Sequence, residues 1–156
     1  MSERPTEADA EAYIRGNLPL AATMDVRVVS LGLDPLAEHG PILTAPLEVN
    51  ANHLGTAFGG SIATLAILTG WAAVHYGLLA EGVAARTVVQ RTTMEYLDPA
   101  EADLRATCAA IDEGAWERLL RGVVRHGRGR TSLQVDVVAA GRPVARFEGA
   151  YVAMRK

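Results

Sequence analysis

The chain has 156 residues, enough for one domain with a real core, and 49% of them are hydrophobic. A formal net charge of −3 gives no overall pull toward nucleic acid or an acidic membrane. The single cysteine, Cys108, excludes an internal disulfide, and no metal-ligand spacing of Cys and His occurs, so no metal site is expected. The N-terminus is acidic and polar, without the basic and apolar regions of a secretory signal, and the expected location is cytoplasmic.

In chain order, residues 6–18 carry Ala8, Ala12, Tyr13, Ile14 and Leu18 among polar residues and read as an amphipathic helix, part of an N-terminal extension over residues 1–20. Met24 to Leu33 is a strand. Asp34-Pro35 and His39-Gly40-Pro41 mark a turn. Ile42 to Val49 is a second strand, interrupted at Pro46 as an edge or bulge would be. Polar residues then lead into adjacent glycines, from Asn50 through Asn52, His53, Thr56 and Phe58 to Gly59, Gly60 and Ser61. A long apolar helix follows to Gly77 or Gly82. Its length would allow a membrane span, but its alanines, threonines, glycines and His75, with no flanking basic cluster, read as the buried centre of a soluble domain.

Arg86 to Leu97 is a third strand, ended by Asp98-Pro99, and Asp103 to Ile111 a fourth. Residues 113–125 form a second amphipathic helix, with Trp116, Leu119, Leu120, Val123 and Val124 on one face and Glu117, Arg118, Arg121 and Arg125 on the other. Arg130 to Ala139 alternates with period two, Gly141-Arg142 turns the chain, and Val144 to Met154 is the last strand. The expected architecture is a single α+β domain over 1–156. An antiparallel sheet wraps one buried helix.

The glycine segment is the chemical focus. A helix start offers unpaired backbone N–H groups and a partial positive charge, and glycine lets an oxygen approach them closely. Gly59 and Gly60 are therefore candidate donors to an oxyanion, although close packing of helix on sheet would also require glycine. Asn52 can orient a thioester or water, or hold a turn. His53 can act as acid or base near neutral pH, or be a solvent-facing loop residue. His39 and His75 read as structural. Cys108 reads as a buried thiol.

With these elements in place, the chain resembles the hot-dog thioesterase superfamily, and within it the YiiD C-terminal-type thioesterase family. The resemblance rests on Asn50-x-Asn52-His53-x-Gly55-Thr56-x-Phe58-Gly59-Gly60-Ser61 and Leu68-Thr69-Gly70-Trp71. It continues in Tyr96-Leu-x-Pro99, the Trp116 helix, and Phe147-x-Gly149-x-Tyr151-Val152. It implies a hot-dog fold and a homodimer or dimer of dimers, with sites at the subunit interface. It also implies substrates carried on coenzyme A or an acyl carrier protein, with no separate cofactor, no nucleic acid and no membrane.

Two departures matter. Phe58 stands where many relatives carry His. Ile67 stands where one large branch carries a catalytic Asp or Glu, and no carboxylate occurs on the central helix. Thr64, one turn before Ile67, can orient water instead, while Thr69 reads as a core hydroxyl bonded to the preceding turn. Phe58, Ser61, Arg91 and Thr93 are the candidate substrate contacts. Arg91 is expected to pair with a carboxylate such as Glu95, or to hold a substrate carboxylate or phosphate. Arg118, Arg121, Arg125, Arg128 and Arg130 suit coenzyme A phosphates, a carrier protein's acidic surface, or plain solvation. The expected activity is acyl thioester hydrolysis. The alternatives are malonyl-thioester decarboxylation, which the missing carboxylate also fits, and acyl-thioester binding without turnover.

Overall fold

In a computed structural model that describes residues 3–34 and 37–156, eleven elements follow one another. They are α1 (Glu7–Asn17), α2 (Pro19–Thr23), β1 (Arg27–Ser30), β2 (His39–Ala45), α3 (Leu47–Asn50), α4 (Gly59–Ala80), β3 (Ala85–Tyr96), β4 (Leu104–Ala109), α5 (Glu113–His126), β5 (Arg128–Ala139) and β6 (Arg142–Arg155). Pro35, half of one predicted turn signal, lies outside the described residues.

All six strands join one antiparallel sheet in the order β1-β2-β4-β5-β6-β3. Helix α4 packs against β2 to β6. It is the one helix among the described residues long and apolar enough to span a membrane, and it is instead the domain's core helix: Ile62, Leu65, Ala66, Leu68, Ala72, Val74, Tyr76 and Leu78 are all buried. This is the sheet-around-helix arrangement of the hot-dog fold. Gly70 makes the close contact possible, because a Cβ there would come within 2.5 Å of the Tyr151 hydroxyl and 2.7 Å of Leu133. Tyr151 uses that approach to donate to the Ile67 carbonyl at 2.6 Å.

Several sequence expectations need correction. Pro46 does not sit inside a strand; β2 stops at Ala45, and Leu47–Asn50 forms a helical turn, with Pro46 as its N-cap. The buried face of α1 is Ala10 and Ile14, whereas Ala8, Ala12 and Tyr13 are exposed. Val124 is exposed on α5; only Leu119 and Val123 of its predicted apolar face are fully buried.

The two sheet edges differ. At β1, side chains of α1 occupy backbone donors: Glu11 accepts from the Val28 amide at 3.1 Å and Glu7 from the Leu31 amide at 3.2 Å. At the other edge, β3 is exposed on both faces from Val88 to Thr93, and Val88, Val89 and Tyr96 are open to solvent. A long edge strand with exposed apolar residues presents unpaired backbone groups to whatever approaches.

Candidate functional site

The start of α4 is built by the loop before it. Asn50 is 3% exposed and donates to the Met24 and Pro46 carbonyls at 2.9 and 2.8 Å, which fastens the loop to the domain. The Phe58 amide returns to the Asn50 carbonyl at 2.7 Å, and Ala57 donates to the Ala100 carbonyl at 2.8 Å. Between these ties, the Asn52 carboxamide oxygen accepts from the Leu54 and Thr56 amides at 2.9 and 3.2 Å, and its nitrogen donates to the Thr56 hydroxyl at 3.0 Å. Asn52 thus holds the turn, the second of its two sequence readings. Gly55, at φ 78°, supplies the left-handed residue that the turn requires. His53 is exposed on the turn.

The loop delivers the chain into α4 with Phe58 as N-cap and no side-chain cap. Ser61 and Ile62 donate to the Phe58 carbonyl, but among the described residues the Gly59 and Gly60 amides find no acceptor. Two free donors therefore head a helix of 22 residues whose dipole adds positive potential at that end. A Cβ on Gly60 would collide with the Phe58 ring, so glycine at that position leaves Phe58 folded back over the helix start.

Sequence reasoning missed Tyr96 as part of this site. Its hydroxyl donates to the Gly59 carbonyl at 3.1 Å, and its ring lies 3.5 Å from where a Gly59 Cβ would stand. With Thr56, Ala57, Ile62 and Asp98 it borders an open cleft of about 370 Å³ beside the glycines. The only sequence signal was its place in the motif at the end of β3.

Thr64 donates to the Gly60 carbonyl at 2.8 Å, leaving its oxygen lone pairs available, and it lines an apolar pocket together with Ile67. The Thr69 hydroxyl is spent on the Leu65 carbonyl at 2.7 Å, as expected of a core threonine. Ser61 is half-buried in the first turn of α4. Arg91 and Thr93 are exposed along β3. The expectation that Arg91 sits in a half-buried strand fails because β3 is the open edge, and among the described residues Arg91 forms no ion pair, with Glu95 or any other acid.

The arginines of α5 and β5 are exposed, but the fold separates them from their own glycine pair. The Arg155 amide bonds to the Gly127 carbonyl and the Lys156 amide to the Ala84 carbonyl, so the C-terminus of α5 lies at the far end of α4. At 1.5 Å per residue that end is about 30 Å from Gly59. Cys108 is buried, and burial pushes its thiol up to about 12, which makes it inert. His75 stacks on Trp71 with ring centroids 4.4 Å apart. Burial, with a smaller push from the Lys156 charge, holds its pKa below the usual imidazole value.

Comparison with known proteins adds four findings. A family model described as "Putative thioesterase (yiiD_Cterm)" matches residues 7–155. A protein of unknown function from Chlorobaculum tepidum superimposes with a TM-score of 0.87 at 28% identity, over 96% of this chain and 94% of its own. A structure titled a putative thioesterase, from Shewanella oneidensis, superimposes at 0.80 with 22% identity, over 95% of this chain and 96% of its own. A thioesterase from Haemophilus influenzae shares the fold at 0.74 with 15% identity, over 98% and 93%.

Proposed function

The chain belongs to the YiiD C-terminal thioesterase family, and on that premise we propose that it hydrolyses acyl thioesters of coenzyme A or an acyl carrier protein at the start of α4. The observation that carries the reading is the pair of unpartnered amides, Gly59 and Gly60, presented without a Cβ at the head of a long helix. Donors fixed before the reaction stabilise an oxyanion without reorganising, which is why they lower a barrier.

In this mechanism the thioester carbonyl oxygen lies on the two amides. A water oxygen attacks the carbonyl carbon, negative charge moves to the carbonyl oxygen, and His53 takes the water's proton. Collapse breaks the carbon–sulfur bond, and His53 returns the proton to the departing sulfur, releasing the thiol and the free acid. Thr64 positions the water through the lone pairs not used on Gly60. Asn52 is a positioning residue, because its bonds within the turn set where His53 and the glycines stand. Tyr96 fixes the first turn of α4 through Gly59.

The working unit in this proposal is a homodimer, or a dimer of dimers, paired through β3. What supports it is the open edge from Val88 to Thr93, opposite an edge that α1 already occupies. The pairing leaves Arg91 and Thr93 beside the partner as substrate contacts, with Phe58 and Ser61 at the helix start.

A mass-spectrometric product screen tests the activity, using malonyl and graded acyl thioesters on both carriers. Free thiol together with free acid is the expected product. Loss of carbon dioxide with the thioester intact would assign decarboxylation instead, and retention of every substrate would assign binding alone.

A further inference from the structure

The face of α4 that carries Gly60 also carries Thr64, Ile67, Leu68 and Trp71, and beside it lies a pocket of about 330 Å³. Its walls come from four places: that face of α4, Thr87 to Val89 at the start of β3, Tyr151 of β6, and Leu18, Leu20 and Ala21 of the N-terminal segment. The size is at the lower end of small-molecule sites. We propose that this pocket holds the acyl chain of the substrate, that it takes unbranched chains of about eight to ten carbons, and that Trp71 sets this limit. The proposal rests on the thioesterase reading and adds a substrate class to it.

Trp71 is fixed on both sides. Its indole N–H donates to the Thr87 carbonyl at 3.0 Å, and its ring stacks on His75. An indole held by a hydrogen bond and a stacked neighbour does not swing aside for an incoming methyl group. Thr87, whose carbonyl holds the indole, is itself only 9% exposed, so both members of this contact are held in place.

The length follows from the helix. Gly60 and Trp71 are eleven residues apart, about 16 Å along the axis, and a helical side chain leans back over roughly one turn, about 5 Å. About 11 Å remain. An extended chain covers about 3.3–3.6 Å for each three backbone bonds, so nine or ten bonds fill the space. Leu20 of α2 stands at the rim and is 58% exposed.

The test is a chain-length profile from acetyl to hexadecanoyl-coenzyme A, with calorimetric binding of free carboxylates of the same lengths. For the parent protein, kcat/KM and affinity should rise about fourfold per methylene, then stop rising near ten carbons. Trp71→Ala should move the break to longer chains by several carbons. Trp71→Leu, which keeps a packed side chain, should move it by fewer and carries the test if the alanine variant does not fold. Leu20→Arg should lower the decanoyl-to-acetyl ratio at least tenfold. A break that stays at one length in every folded variant overturns the proposal. If the parent protein hydrolyses no thioester but carboxylate binding shows the break and its shift, the pocket assignment stands and the hydrolase reading falls. If thioesters are hydrolysed but neither turnover nor binding depends on length, the pocket assignment falls and the hydrolase reading stands; if there is neither turnover nor binding, both fall.

Discussion

Gly70→Ala is the sharpest test of how the core is built. On helix propensity alone, alanine should stabilise the middle of α4 by up to about 1 kcal/mol. The packing says otherwise. The added methyl would stand 2.5 Å from the Tyr151 hydroxyl, 2.7 Å from Leu133 Cδ1 and 2.9 Å from Tyr151 Cζ. Overpacking of this kind costs about 1–3 kcal/mol. Displacing Tyr151 also breaks its 2.6 Å bond to the Ile67 carbonyl and strands a buried hydroxyl, for about 1–3 kcal/mol more. After the propensity gain, a net loss of about 1–5 kcal/mol is expected. For a chain of this size each kcal/mol moves Tm by roughly 2–4 °C, so a fall of about 2–20 °C should appear in calorimetry at fixed protein concentration. Tyr151→Phe removes the nearest atom, and the double variant should be less destabilised than the sum of the singles by at least about 1 kcal/mol. A Tm that rises, or strictly additive losses, would refute the close helix-on-sheet contact through Gly70.

Asn52→Ala should lower kcat about tenfold to a thousandfold on the best substrate, since a misplaced turn moves the oxyanion donors; Asn52→Asp, which keeps the acceptor for the Leu54 and Thr56 amides, should retain more activity, and full activity in the alanine variant would remove Asn52 from the site. Val89→Arg on the open edge should convert a dimer to a monomer by light scattering at micromolar concentration, and a parent protein that is already a monomer would refute pairing through β3. Stability should depend on pH through His75: its folded pKa lies below 6.5, so the unfolded chain binds more protons in between. The stability from keeping it neutral is complete above about pH 6.5 and is lost as pH falls through the lowered pKa. Tm should drop between pH 7.5 and 5.5 by more in the parent than in His75→Phe, and equal drops would show that other groups dominate.

What could be read in the sequence was what repeats locally. The period-two run of Leu133, Val135 and Val137, the glycine pair before an apolar helix, and the Gly141 turn each follow from neighbouring residues. The misread parts depended on distant ones. Val88 through Thr93 reads as an ordinary strand, and nothing nearby says that, among the described residues, β6 is its only partner and the other side is open. Thr87, Trp71 and Leu20 form one pocket, yet are separated by up to 67 positions and brought together only when α2 and β3 close on α4. Asn52 was legible as polar and loop-borne, but its engagement with Thr56 belongs to a turn geometry that composition does not specify.

The carboxylates of Glu7 and Glu11 on the Leu31 and Val28 amides bear on how copies of the molecule can associate. A sheet with two bare margins can add copies without limit, and the product is a fibre. With one margin occupied by its own helix, a copy that pairs through β3 keeps no second margin at which to grow. In the proposed dimer, growth by strand addition would then terminate after one event, through a two-fold axis, and leave no further template. Glu7→Ala/Glu11→Ala would reopen the second margin, turning a self-limiting association into one with no natural stopping point.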